Sequence, residues 1–425
     1  MKKTYTTLVL LFTAFSLFAQ NNVFNNAGGN LLWSNTSNWN QGRVPLTTDV
    51  VQINIAATSL VDANYTIKRI QNFGGKTTAS VVGGAAILTI NPNATGGIAI
   101  QNLSTAGTNM KLEGNIEINN SVTGETKIKN ISSDSSIEFG TSSTLNLTTK
   151  LSTNANSAGD FNFNGSLTGA ANLILGANTT VTFGANFNLN TYSGTLVFNV
   201  GSKAVANVSD NQVFYDNTKI QINGNNATLD LNGVNIFASN TSIGGTNTFN
   251  LNVNKDQANM GGIIFNADNT LNITIDDLVT NVSFVNNKDY NWATGEVNVT
   301  GYKDGVIRFG TDSTGLTAGQ LNQIEVDGGG GAVLLDASGY LVSASTISID
   351  NTDTKVVTRI SVPSIVSDKL LLRTPQNSVK IMGINGVTVY VKNTKNQEEV
   401  DVTSLPSGVY FILFNDKTTE KFVKK

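Results

Sequence analysis

Short apolar alternations recur from about Val50 to Val342. Ile116-Glu117-Ile118, Leu145-Asn146-Leu147, Phe161-Asn162-Phe163, Leu229-Asp230-Leu231 and Leu271-Asn272-Ile273-Thr274-Ile275 all place apolar side chains at every second position. A period of two puts those side chains on one face of a strand and their polar neighbours on the other. Turns of Asn, Gly, Ser and Thr separate them, as in Asn164-Gly165-Ser166 and Asn223-Gly224-Asn225-Asn226. Almost no ten-residue stretch has helical periodicity. Proline occurs only 5 times, which suits strands that must all donate to a ladder.

Frequent corners between short strands fit a sandwich of hairpins or a solenoid of stacked rungs. Many strands here have three to five residues, and the pattern runs on for longer than one sandwich needs, which favours the solenoid. Inward Ile, Leu, Val and Phe would stack rung on rung, and Asn amides one strand spacing apart would bond along the axis. At roughly 20 to 25 residues per rung and about 4.8 Å between rungs, the body would be on the order of 60 Å long. The predicted fold is all-β: a right-handed parallel β-helix or solenoid followed by a small C-terminal β-sandwich.

The ends of the chain concern transport. Met1, Lys2 and Lys3, an apolar run from Leu8 to Phe18, and Ala19 before Gln20 have the order of a secretory signal peptide, spanning residues 1–19. The run is shorter than the about 20 apolar residues that cross a bilayer, and no later stretch reaches that length, so no transmembrane segment is expected in the mature chain. Charged residues make up 13% and the net charge is −3, so nucleic acid is not an implied partner. Cys is absent, which leaves stability to burial and backbone pairing. His is absent too, and with it the commonest general base, the commonest metal ligand and every Ser-His or Cys-His nucleophile.

Three stretches carry family resemblances. Trp33 to Asn54, WSNTSNWNQGRVPLTTDVVQIN, resembles the W-S-x-x-x-N-W-x-x-G-x-V-P opening of secreted bacterial β-helix and autotransporter-passenger-like proteins. Read as a cap over about residues 24–54, Trp33 and Trp39 cover the first rung, Gly42 and Pro45 turn the chain, and Val51 and Ile53 begin the ladder. The alternative is that exposed tryptophans stack on sugar rings. The segment from Ile307 to Val342 resembles the closing segment of surface proteins built from autotransporter-associated β-strand repeats, and NTYSGTLVFNVGSKA, from Asn190, looks like one such repeat. In the closing segment Thr317 would cap a single helical turn, with Leu316, Leu321 and Ile324 plugging the last rung.

The third stretch begins at about Ser361 and is similar to the type A C-terminal sorting domain of the Bacteroidetes type IX secretion system. The matching positions are Asp368, Lys369 and Leu370, then Val379 to Gly386, then Val402, Leu405, Gly408, Val409 and Tyr410, and the terminal Lys424 and Lys425. Where the family usually has P-N-P, this chain has Pro363-Ser364-Ile365. The residues themselves read as short alternating strands with glycine turns at Gly386 and Gly408, a basic end and an edge open to pairing. The resulting division is a body over 20–349, a linker over 350–360 and a sorting domain over 361–425. The resemblance implies recognition by type IX secretion machinery after passage through the periplasm, then removal of the tail, with the body attached to surface lipopolysaccharide or released.

Catalytic candidates are few. β-Helices host pectin-type enzymes, but adjacent Asp276 and Asp277 would face opposite sides of a strand and read better as a turn. Arg308 between Asp304 and Asp312 is the one lyase-like neighbourhood, and a surface ion pair is the plainer reading. A groove joining it to Tyr290 and Trp292 would favour a polysaccharide-active protein. Gly328 to Gly331 lacks the context of a phosphate loop. No cofactor is expected. Calcium has one place, Asp350 and Asp353, without a twelve-residue loop or nonapeptide repeat behind it. Asp312-Ser313-Thr314 fits a short O-glycosylation pattern of the same bacterial group, and Thr is too scattered for an ice- or mineral-binding array. The function expected is that of a non-enzymatic surface or secreted solenoid in adhesion, envelope or matrix, with extracellular glycans as contacts; the alternative is a polysaccharide-binding or lyase-type β-helix.

Overall fold

The computed structural model describes residues 21–343 and 365–425, apart from 56–57, 74–77, 105–106, 156, 158, 212–218, 239, 328–332 and 415–418. The segments expected to be a signal peptide (1–19) and a linker (350–360, with Asp350 and Asp353), and Gly328 to Gly331, lie outside the described residues. The chain divides into two compact units between Ser348 and Ile349.

The first unit is a parallel β-solenoid of about 10 turns. The strand Thr270–Ile275 shows how the alternation builds it: Leu271, Ile273 and Ile275 are buried, while Thr270 and Asn272 are half-buried and Thr274 is exposed. Its neighbours repeat the pattern in register, so that Ile137, Phe161, Val181, Ala204, Leu229, Leu251, Ile273, Val299 and Val326 form one inward column. Most rungs give one strand to this sheet and one to a second, eleven-stranded parallel sheet that starts at Asn21–Phe24 and ends at Ile263–Phe265. A three-stranded parallel sheet, Gln257–Met260, Val282–Phe284 and Ile307–Phe309, accompanies the last rungs.

Rung length is uneven. Ile70 pairs with Ile100 and Ile100 with Ile128, whereas later rungs are shorter, with Leu173 opposite Leu196 and Ile220 opposite Thr241. Extra residues at the corners absorb the difference, because the inward columns must stay aligned. Where a corner passes close to the rung below, only glycine fits: a Cβ on Gly176 would stand 1.9 Å from the Thr153 carbonyl oxygen.

Two kinds of column hold the rungs together. Aromatic packing is one. Phe139 and Phe163 stack at 4.9 Å between centroids, Phe163 meets Phe183 at 5.7 Å, and Phe187 packs on Phe183 at 4.6 Å. The other is polar. Asn72, Asn102 and Asn130 are in register and fully buried. Asn72 Nδ2 donates to Asn102 Oδ1 at 3.2 Å, and Asn102 Nδ2 donates to the Thr108 and Ser136 carbonyls at 2.8 and 3.1 Å. Outside, Asn298 donates to Asn272 at 3.2 Å and Asn272 to Asn250 at 2.9 Å, while Asn254 donates to Asn232 and Asn232 to Asn207, both at 2.7 Å. Amide columns therefore run along both strand faces and corners.

The second unit has five strands in the order Ile365–Val366, Thr419–Lys424, Gly408–Phe414, Lys369–Gly383 and Thr388–Asp401. The first pair is parallel and the rest antiparallel. The two long strands break register near Gln376, and the unit has its own core of Leu370, Val379, Ile381, Val400, Ile412, Phe414 and Phe422, among others.

Phe163→Ala opens the middle of the phenylalanine column and should cost about 3–5 kcal/mol. A large fall in the urea midpoint or melting temperature of the purified chain checks this; an unchanged midpoint would show that the neighbouring rungs close the gap.

Candidate functional site

The first edge of the solenoid is closed from its own chain. Trp33 is fully buried and Trp39 is 3% exposed. Their rings meet edge-to-face at 5.2 Å, Phe24 packs on Trp39 at 5.0 Å, and Tyr65 lies against Trp33. Both indole N–H groups are used, Trp33 to Ser59 Oγ at 3.1 Å and Trp39 to the Trp33 carbonyl at 2.8 Å. Neither ring offers a face to a sugar, so the sugar-stacking alternative is set aside: the rings are inside because each has a partner for its apolar body and its polar handle. The loop also covers the edge of the first strand, where the Asn40 N–H donates to the Val23 carbonyl and Asn40 Oδ1 accepts from the Val23 N–H. Gly42 turns with φ +63°, and Pro45 is buried just after it.

Sequence reading overlooked the clamp behind this cap. Arg43 forms a two-pronged pair with buried Asp49, Nη1 to Oδ2 at 2.5 Å and Nη2 to Oδ1 at 2.9 Å. Asp49 Oδ2 also accepts the Leu46 N–H at 2.9 Å, and the pairing raises the Arg43 guanidinium above its usual range. An Arg six residues before an Asp has no helical spacing to advertise it; the turn at Pro45 brings them together.

At the other end Thr317 and Gln320 form a reciprocal capping box on the helical turn Ala318–Leu321. Leu316 and Ile324 are buried and Leu321 packs half-buried on the core. The hairpin of Val333–Leu335 and Leu341–Ser343 follows, and Tyr340 bridges antiparallel to Arg308. Arg308 does not make the expected ion pair. Its guanidinium lies over the Tyr340 ring at 5.6 Å. Asp304 Oδ1 instead takes the Tyr302 hydroxyl at 2.7 Å and the Ser343 N–H at 2.8 Å, and Asp312 takes the Thr314 N–H and hydroxyl at 2.7 and 2.6 Å. Asp312 is satisfied by donors on its own loop, and Asp304 by nearby Tyr302 together with Ser343 of the closing hairpin.

The other chemical candidates do not converge. Trp292 is buried between Phe265 and Phe309, and Tyr290 packs over Gly262. A groove uniting them with Arg308 is therefore not formed. Asp276 accepts the Leu278 N–H at 2.9 Å in a turn, and Asp277 points outward near Lys303. Among the described residues no three acidic side chains come together to hold a metal ion, and no helix is long and apolar enough to cross a membrane.

In the C-terminal unit the sequence-derived positions play different parts. Leu370 is fully buried, and Leu405 is buried beneath a turn in which its N–H donates to the Val402 carbonyl at 3.0 Å. Asp368 is exposed, and its carbonyl accepts the Val402 N–H at 2.9 Å. Tyr410 stacks on Phe422 at 5.6 Å and donates its hydroxyl to the Pro406 carbonyl at 2.8 Å. Gly386, at φ +77°, makes the hairpin turn closed by the Gly383 N–H on the Val387 carbonyl at 2.9 Å. Gly408 is not a turn residue. It opens a strand opposite Lys424, and a Cβ there would only touch the Tyr410 ring at 3.6 Å, because the chain has already reversed at Thr403 and Ser404. Val409 pairs with Val423, Lys424 is mostly buried, and the Lys425 N–H is tied to the Val366 carbonyl at 2.9 Å.

Residues 360–425 match the family of secretion system C-terminal sorting domains. The sorting domain marks the chain for recognition by type IX secretion machinery and for export to the cell surface or the medium. Neither curated proteins nor solved structures yield a match.

Burial, then the bond to Asp304 and its charge, push the Tyr302 phenol well above the usual tyrosine range. A raised folded value means stability that is complete below the unfolded value of about 10 and lost as pH rises beyond it. Wild-type melting temperature should therefore fall as pH is raised from about 9 to 11. Tyr302→Phe should be less stable at neutral pH and lose that tyrosine's share of the decline; identical alkaline slopes for both proteins would refute it.

Proposed function

We propose that this chain is an exported structural solenoid: a non-enzymatic body in adhesion, envelope or matrix, shipped by its C-terminal domain. The observation that carries the reading is how the body uses its polar side chains. Amides of the outward column bond to the rung below, Asn298 to Asn272 to Asn250, and Asn252 to Asp230 at 2.6 Å. Asp230 is further held by Lys203 at 2.7 Å. Groups committed to one another in this way stiffen a surface; an active site keeps carboxylates and cations turned toward substrate. The remaining amide hydrogens and lone pairs repeat at the strand spacing, which suits weak, multivalent contact with extended polymers such as surface polysaccharide. The lyase-type reading draws no support from Arg308, which is stacked on Tyr340.

Deletion of residues 360–425 should hold the chain in the periplasm of a host with working type IX machinery, read by fractionation and immunoblot. Undiminished export of the truncated chain would overturn the sorting role. The purified mature body should bind a polysaccharide array without releasing unsaturated sugar ends; release of such ends would overturn the non-enzymatic reading.

A further inference from the structure

The sorting domain carries, on one hairpin and the outward side of its edge strand, a row of apolar side chains that its own core does not use. Ile384, Val387, Val389 and Val391 are 78, 57, 46 and 67% exposed, whereas the exposed large apolar side chains of the body are scattered singly from Leu46 to Leu334. The strand Thr388–Asp401 is the border of its sheet, bonded on one side only. From Val387 to Val391 it has neither charge nor Pro, two of the devices by which edges prevent pairing; its one irregularity is a register shift at Val389 against the neighbouring strand. The apolar surface continues across the sheet. Val391 lies opposite Lys380, Lys380 opposite Leu413, Met382 opposite Phe411 and Phe411 opposite Lys421, so half-buried Met382, Phe411 and Leu413 run between two lysines.

Building on the export reading above, we propose that this edge is where the secretion machinery grips the label, adding a β-strand beside Thr388–Val391 with apolar side chains on the valines and carboxylates toward Lys380 and Lys421. Charge selects among occupants. Residues 365–425 hold 9 Lys and Arg against 6 Asp and Glu, net +3 in a chain of net −3, so two labels repel while an acidic partner is attracted. A lipid surface cannot complete the unpaired backbone ladder, whereas a strand can.

The test uses the full chain in a host with working type IX machinery. Val389→Thr combined with Val391→Thr keeps β-branching and removes the apolar surface; export should fall at least tenfold with the purified variant still resistant to protease. Lys421→Glu should lower export several-fold. A photo-crosslinking residue at position 391 of the otherwise unchanged chain should capture a machinery protein, which keeps the test sound if a substitution unfolds the domain. Wild-type export of the double variant, while deletion of 360–425 blocks it, overturns the edge and leaves the sorting role standing. Export of both removes the sorting role and the edge together. Crosslinks only between copies, with a dimer by light scattering, or co-sedimentation of the wild-type chain alone with phosphatidylglycerol vesicles at unchanged export, assign the edge to a second copy or to lipid and overturn the proposal.

Discussion

Everything in the body depends on parallel register between successive rungs. A rung has too little surface to bury its own side chains, and its backbone donors and acceptors are satisfied only by the rungs above and below. Ile273 is inside because Leu251 and Val299 are in line with it. The same requirement explains why amides recur at matching positions: a buried Asn such as Asn102 is tolerable only while Asn72 and the Thr108 and Ser136 carbonyls are within reach.

Stacking creates two ends that no rung covers, and the chain closes them by different means. At the start, two tryptophans and an arginine clamp fold an antiparallel loop over the first strand. At the finish, a capped helical turn and an antiparallel hairpin take over, with the Arg308 guanidinium over the Tyr340 ring. Both closures change the direction of pairing, which prevents a further rung or a foreign strand from continuing the ladder. The sorting domain does the reverse at its Thr388–Asp401 border, where an uncharged apolar segment is left facing outward.

Much of the architecture was legible because period two is a local signal. Leu271, Ile273 and Ile275 announce their face without help from elsewhere. Register was not legible, since rungs differ in length and the corners absorb the difference out of sight of the alternation. The single-turn helix could be read from Thr317, because capping is local, while the Arg43–Asp49 clamp depends on a turn that only the folded chain defines. Arg308 was misjudged for the same reason: Asp312 is taken by Thr314 on its own loop, and Asp304 by Tyr302 and by Ser343, which only the folded hairpin brings near. Gly408 resembles a turn by composition, yet the reversal is made upstream, at Thr403 and Ser404. In the sorting domain, Val387-Thr388-Val389-Tyr390-Val391 shows its alternation plainly, but only the sheet order shows that the strand is a border and that the valines are the outward set.

The outward amide columns have a sense as well as a spacing. Asn298 donates to Asn272 and Asn272 to Asn250; Asn254 donates to Asn232 and Asn232 to Asn207. In each case the later rung gives its hydrogen to the earlier one, so the amide dipoles add head to tail along the axis instead of cancelling. Polarised in series, each bond strengthens the next. The side of the solenoid is thereby an arrow: hydrogens lead toward the N-terminal cap and oxygens trail toward the closing hairpin. A directional polymer lying along it meets a different surface in each of its two orientations.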